Sequence, residues 1–356
     1  MTLLRGYIMF ALFRGVATAL AVLVGVFACI EFVGQLNDVG TGDFGLTQAL
    51  IYVLLRLPRK ILEALPAAAL MGSLLSLGNL AVHRELVVMR ASGISPLQLL
   101  SAVGLAGFGL AVIMGLLSES LAPSLSAYAS ETRTQLLRKE TAGAAPGQAT
   151  WLRDGDRILS LRRQAGDLGY GGGVLLFEMG PDQMLKQIAR ADSADIDAES
   201  RWVLSNYVET SFLANGVDTS SAREATQTYS LNPNLLVSVV REDMLDTPAL
   251  QRYIRYLKEN SLDARRYEIA YWTRMSSIAS VVLMTILALP FVFGGLRSAS
   301  TGGRLLVGLL IGLSYYVIGE VLVRGGEVFD LDPIVVAWAP SAMLLLVTLV
   351  ALSRAR

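Results

Sequence analysis

The chain has 356 residues, of which 53% are hydrophobic and only 17% charged, with a mean hydropathy of +0.51 and a pI near 6.6. That is too apolar for an ordinary soluble surface, so lipid must form part of its solvent. Basic and acidic residues balance at zero net charge, so nothing in the composition suggests a nucleic-acid partner. The single cysteine, Cys29, excludes a disulfide framework within the chain.

A bilayer core about 30 Å thick requires roughly 20 apolar helical residues. The stretch from Met1 to Phe13 carries Arg5 and runs into apolar sequence without a small-residue cleavage site, so it reads as part of a retained first span. That span centres on Gly15 to Ile30 and extends backward across Arg14. Ala64 to Val82 and Ala91 to Ser118 form the second and third. After a long gap come Met275 to Leu296, Leu305 to Gly319 with Glu320 near its end, and Pro333 to Ser353. Six spans put both termini on one side. Arg5, Arg14, Arg84, Arg90, Arg297, Arg304, Arg354 and Arg356 all fall on that face, with Glu85 as its lone acid, which marks it as cytoplasmic. The opposite loops carry Asp38, Asp43, Glu327, Asp330 and Asp332, and the long insertion between spans three and four belongs on their side.

Within that insertion, from about Gly143 to Val240, short alternating stretches separated by turn residues replace the apolar runs, as in half-buried strands. Arg157 to Leu161, Val174 to Met179, Leu185 to Ala191 and Trp202 to Phe212 are the clearest. Turns are signalled by Asp154-Gly155, Gly171 to Gly173, Gly180-Pro181 and Asn215-Gly216. The pattern predicts an antiparallel sandwich or open barrel. Thr134 to Glu140 continues span three as a helix, and Pro248 to Glu259 predicts a helix returning to span four. The organisation is therefore residues 1–130 with three spans, an inserted β domain with helical connectors over 131–262, and three further spans over 263–356. Three roles suit the inserted domain: a passive cap, an apolar interior that accepts an acyl chain, or an edge strand that pairs with a partner.

Between spans two and three the sequence reads His83-Arg84-Glu85-Leu86-Val87-Val88-Met89-Arg90-Ala91-Ser92-Gly93-Ile94. This resembles the signature of the lipopolysaccharide-transport permeases LptF and LptG. Leu65-Pro66-Ala67-Ala68-Ala69-Leu70, Trp151-Leu152-Arg153-Asp154-Gly155 and Phe293-Gly294-Gly295-Leu296-Arg297-Ser298 extend the likeness over the whole chain. The last of these, with Phe32-Val33-Gly34-Gln35-Leu36, lies closer to the LptG branch. The resemblance implies a permease pair with an LptF-like partner, two copies of an LptB-like ATPase and an LptC-like bridge protein, in the inner membrane of a Gram-negative bacterium. It further implies a periplasmic jellyroll-like domain, extraction of lipopolysaccharide from the outer leaflet and hand-over to a periplasmic bridge.

A permease driven by a separate motor needs a docking helix and none of the nucleotide chemistry. No G-x-x-x-x-G-K-[ST] loop is present, so ATP and Mg are expected on the partner ATPase. Ala81 to Ala91, ending at Ser92-Gly93, is the candidate coupling helix within residues 81–94. In it Glu85 would meet a basic residue of the motor, flanked by His83, Arg84 and Arg90, while Leu86, Val87 and Met89 would supply apolar contact. The bland alternative is that Glu85 only balances Arg84 and Arg90 on a solvated face.

An anionic lipid calls for basic groups at the outer ends of the spans. Arg56, Arg59 and Lys60 cluster before Pro66, and Arg133 follows span three. Arg59 and Arg133 fall where the family places basic residues, although such side chains also snorkel without function. Several LptG proteins carry lysines near the outer end of span one, whereas this chain has Glu31, Asn37 and Asp38. A pair between Glu31 and Arg59, or a bridging divalent ion, would reconcile Glu31 with phosphates. Phe27, Phe32, Tyr315 and Tyr316 on spans one and five could border an acyl-chain cavity, and Gly302, Gly303, Gly308 and Gly312 would let span five approach a neighbour. Glu320 and Arg324 are spaced to pair along one helix face. His83, the single histidine, lacks companions for a metal site, and no nucleophile motif supports an enzyme. A non-transporting membrane anchor for the β domain and a permease for another lipid remain as rivals.

Overall fold

The computed structural model describes residues 2–138, 149–162, 173–180, 184–196, 202–213, 216–227, 241–293 and 301–354. The chain divides into two compact units. One comprises Met1–Leu137, Glu242–Gln251 and Ala264–Arg356, and the other Arg138–Arg241 and Arg252–Asp263.

The first unit is helical: α1 (Thr2–Gln35), α2 (Leu46–Val82), α3 (Glu85–Ala91), α4 (Pro96–Glu119) and α5 (Leu121–Arg138), then α6 (Thr247–Glu259), which both units share, α7 (Arg265–Phe293), α8 (Thr301–Val328) and α9 (Pro333–Arg354). Six of its segments are long and apolar enough to cross a membrane, as composition requires. The helices outrun their apolar cores. α2 has 37 residues, about 55 Å at 1.5 Å per residue against a hydrocarbon core of about 30 Å. It begins at Leu46 and carries Arg56, Arg59 and Lys60 inside it, because polar residues continue a helix beyond the lipid wherever water or partners satisfy them.

The centre is built on α2 and α7. Ala68, Ala69, Leu70, Leu74 and Leu77 of α2 and Val281, Met284, Leu287 and Ala288 of α7 are completely buried. By contrast, only 11% of the apolar window of α1 and of α8 is buried within the chain, so these two helices turn apolar surface outward. Small residues set the close contacts. A Cβ on Gly72 would collide with the backbone of Gly15 and Val16, and Ser76 Oγ donates to Ala11 O at 2.7 Å, so α1 lies directly on α2. Gly308 and Gly312 bring α8 against Met71 and Ala67 of α2, the approach their sequence positions suggest.

Arg84 breaks the path between α2 and α3 with a φ of +60°. The candidate coupling segment is therefore a seven-residue helix from Glu85, and Ala81 and Val82 belong to the end of α2. Gly93, at φ +89°, permits the reversal after α3. Ser95 and Gln98 then cap α4 reciprocally, Ser95 Oγ accepting from Gln98 N at 3.2 Å and Gln98 Oε1 from Ser95 N at 3.0 Å. Arg304, expected among loop charges, is only 2% exposed. It packs on Gly78, where any side chain would collide with it.

In the second unit the described strands form one antiparallel sheet: β1 (Ala149–Asp154), β2 (Arg157–Arg162), β3 (Val174–Met179), β4 (Leu185–Ala191), β5 (Ser193–Ile196), β6 (Trp202–Leu213) and β7 (Gly216–Gln227). β4 and β5 pair with successive halves of β6, whose other edge takes β7 along its full length. Consecutive strands pair as in a meander except at β4, which pairs with β6 while β5 continues along the same edge of β6. Leu159, Leu176 and Ala189 stand opposite one another on β2, β3 and β4 and are at most 2% exposed, with Val174, Ala191 and Leu204 beside them. Asp154 pairs with Arg157 across a two-residue turn, and Gly155 supplies its φ of +60°. Tyr256 of α6 donates to Arg153 O at 2.7 Å and accepts from Arg153 N at 3.2 Å, while Asn260 Oδ1 accepts from Gly155 N at 2.6 Å. These bonds fasten the end of α6 to the first hairpin. Residues 139–140 of the helical connector, 171–172 and 181 of the turn signals, Asn215, Arg356 and 294–298 of the motif after span four lie outside the described residues.

Candidate functional site

Two cavities adjoin in the helical unit. The larger, about 550 Å³, is lined by Arg59 and Glu63 of α2, Thr273 and Arg274 of α7, and Tyr315, Tyr316, Glu320 and Arg324 of α8, over an apolar floor that includes Leu62, Met114 and Ile278. The smaller, about 290 Å³, is almost wholly apolar and lies among α7, α8 and α9. Tyr315 and Pro340 line both. At that junction Ser276 and Ser341 share a hydrogen bond of 2.7 Å, and the Tyr315 hydroxyl lies 3.3 Å from Ser341 Oγ. A charged chamber beside an apolar one can take a headgroup and a hydrocarbon chain of the same molecule.

The structure therefore brings Arg59, Tyr315 and Tyr316 together. Phe27 and Phe32 line neither cavity. They are half-buried on α1. Glu320 accepts from Arg324 at 2.7 Å along one face of α8.

The remaining basic candidates are engaged by acids. Arg56 Nη1 donates to Glu31 Oε1 at 3.0 Å and to the Tyr52 hydroxyl at 3.2 Å, and its Nη2 lies 3.5 Å from Asp243 Oδ2. Lys60 Nζ lies 3.1 Å from Glu63 Oε2 and 3.6 Å from Glu31 Oε2. Arg59 Nε donates to Glu63 Oε1 at 3.1 Å. Arg133 pairs with Asp38 and donates to Gln35 at 3.1 Å. The guanidinium groups of Arg56 and Arg133 also stand over the Tyr52 ring, 5.7 and 5.8 Å from its centroid. Glu31 thus joins Arg56 and Lys60 rather than Arg59, since its two oxygens reach residues one helical turn apart.

Sequence reasoning missed Asp243 and Arg274. Arg274 of α7 donates to Leu245 O at 2.8 Å and Glu242 O at 2.5 Å. It ties down the 3-10 turn Glu242–Met244 through which the chain re-enters the helical unit. The signal was an arginine inside an otherwise apolar helical run.

At the other end of α2, Leu86 is 3% exposed and sits in the core of the helical unit, with Met89 packed against it. Leu86 is thereby used within the chain, whereas Met89 stays partly exposed. Val87 and Val88 face outward, 47% and 62% exposed. Glu85 accepts from the Tyr7 hydroxyl of α1 at 2.8 Å, and Arg90 stands 5.6 Å from the ring centroid of Phe293 on α7. His83 Nδ1 lies 2.8 Å from Asn79 O and closes the end of α2.

Comparison with known proteins agrees with this architecture. Residues 6–354 match the family described as "Lipopolysaccharide export system permease LptF/LptG". The chain is 32% identical over 352 residues to the lipopolysaccharide export system permease protein LptG of Escherichia coli K12, covering 98% of this chain and 97% of that one. It is 30% identical over 352 residues to LptG of Haemophilus influenzae, covering 98% of both. The six long apolar helices, the inserted antiparallel sheet and the match from end to end lead to one conclusion: the chain belongs to the LptF/LptG family of lipopolysaccharide export system permeases.

Proposed function

We propose that this chain is the LptG-type subunit of an ATP-driven machine that extracts lipopolysaccharide from the outer leaflet of a Gram-negative inner membrane and passes it to a periplasmic bridge. The observation that carries this reading is the paired cavity: a charged chamber lined by arginines, glutamates and tyrosines, joined through Tyr315 to an apolar one. It suits a molecule with phosphates on one side and acyl chains on the other. The arginines of the short loops support a cytoplasmic α3 and a periplasmic β unit.

An LptF-like permease would cover the outward faces of α1 and α8. On α8, Leu306, Leu310, Leu313, Val317 and Val321 are all about half exposed or more and recur every three or four residues, the spacing of a helix-packing stripe. An LptB-like ATPase dimer, holding ATP and Mg, would grip Glu85, Val87 and Val88. An LptC-like protein would receive the lipid at the β unit. Affinity purification of the chain from its native membrane, with mass spectrometry of proteins and bound lipid, tests the reading. An ATPase, a second permease and lipopolysaccharide are expected together. Recovery of the chain without any ATPase would leave a membrane anchor for a β domain as the better description.

A further inference from the structure

Glu31 holds two cations that flank a proline. Its carboxylate reaches Arg56 and Lys60, and between them Pro58 lies inside α2. Proline has no N–H to bond the carbonyl four residues earlier, and its ring crowds that carbonyl, so helices bend there. About 36 Å of helix separates Pro58 from Val82 at 1.5 Å per residue, which places the joint beyond a hydrocarbon core of about 30 Å, at headgroup depth. The side chains of Glu31, Arg56 and Lys60 are only 17%, 16% and 21% exposed, so water competes poorly for them. Arg59, one residue past the proline, lines the charged cavity.

We propose that Glu31 is a placeholder for a substrate phosphate: it occupies Arg56 and Lys60 when no lipid is bound, and a phosphorylated headgroup displaces it and frees the Pro58 joint of α2. This rests on the lipid-extraction reading above and names the charge that signals cargo arrival. A phosphate carries more charge and more acceptor oxygens than a carboxylate, and an arginine with a neighbouring lysine holds it through several charge-assisted hydrogen bonds. Once Glu31 leaves, the ion pairs that tie α1 to the residues on either side of Pro58 are gone, while Lys60 keeps Glu63 and α1 stays packed on α2 at Gly72. Arg56 keeps Asp243 of the re-entry turn as its second partner, so the outer end of α2 and that turn move as one piece.

The intact complex, purified from its own membrane into phosphatidylcholine nanodiscs, would be titrated with lipopolysaccharide and with lipopolysaccharide stripped of phosphate by phosphatase. Glu31→Gln should bind the phosphorylated form about two- to fivefold more tightly than wild type, the factor for removing a competing, partly exposed ion pair. The stripped form should bind both proteins equally. Unchanged affinity of Glu31→Gln for the phosphorylated form would overturn the placeholder. If wild type binds neither form above background, the lipid-extraction reading itself fails. A second measurement leaves Glu31 intact. Spin labels at Ile51 and Val82, both outward-facing on α2, are introduced with Cys29→Ala, because that thiol is free and exposed. The distance across Pro58 should change on adding the phosphorylated lipid and stay fixed with the stripped one. No change with either would overturn the joint.

Discussion

The hydroxyl of Tyr7, on the first helix, donates to the carboxylate of Glu85, 78 residues away, at 2.8 Å. With Arg90 against Phe293 and Leu86 in the core, this fixes the short helix α3 to α1 and α7 as well as to α2. A force applied to α3 would therefore reach three spans at once. Tyr7→Phe removes one exposed hydrogen bond, so thermal unfolding should move little. Lipid released per ATP hydrolysed should fall, because α3 then loses its side-chain link to α1. Reconstituted release and ATPase assays on the same preparation check it.

Glu85 has a second oxygen for a basic partner. Loss of one member of a desolvated ion pair costs about 2 to 5 kcal/mol, thirtyfold or more in affinity. Glu85→Ala should therefore release the ATPase in a pull-down, and Val88→Asp should weaken it. Leu86→Ala should act differently, lowering unfolding temperature by opening a cavity worth about 2 to 5 kcal/mol. A fully active, stably assembled Glu85→Ala complex would contradict the docking assignment.

The contact of α1 with α2 depends on the absence of a side chain at Gly72. Gly72→Val forces the helices apart, with a cost of about 1 to 3 kcal/mol or more. A lowered melting temperature in detergent, with the β unit still protected from protease, is the expected result.

In the β unit, burial pushes the Glu178 carboxyl up, but the hydrogen bond from Lys186 and the charge of Arg157 outweigh it and hold it below the ordinary glutamate value. A carboxylate depressed in the folded state stabilises fully above the unfolded value of about 4.3, and that contribution disappears as pH falls through the lowered folded value. Glu178→Gln should thus speed hydrogen exchange of β2 and β3 amides relative to wild type near neutral pH. The difference should vanish in strong acid.

Much of the architecture was legible because each signal was local. Apolar run length identified all six spans, and alternation placed β3 and β4 at Val174–Met179 and Leu185–Ala191. β7 escaped because Gly216–Gln227 has little apolar alternation. Its order comes from backbone pairing with β6, which composition does not reveal. The site divides in the same way. Arg59, Tyr315 and Tyr316 stood out by residue type, and the fold brought them to one cavity. The partners of Arg56 did not, since Glu31 and Asp243 lie 25 and 187 residues away and only tertiary packing selects them. Leu86 shows the converse: an apolar residue on an exposed-looking loop was offered to a motor, but the fold had already used it.

The most direct test of the lipid-cavity account is a photoreactive amino acid at Tyr316, irradiated in cells with and without ATP turnover. The account predicts a crosslink to lipopolysaccharide that depends on turnover, and none from Val87, at the far end of the helical unit. Equal labelling of both positions, or labelling of Tyr316 by bulk phospholipid alone, would contradict it.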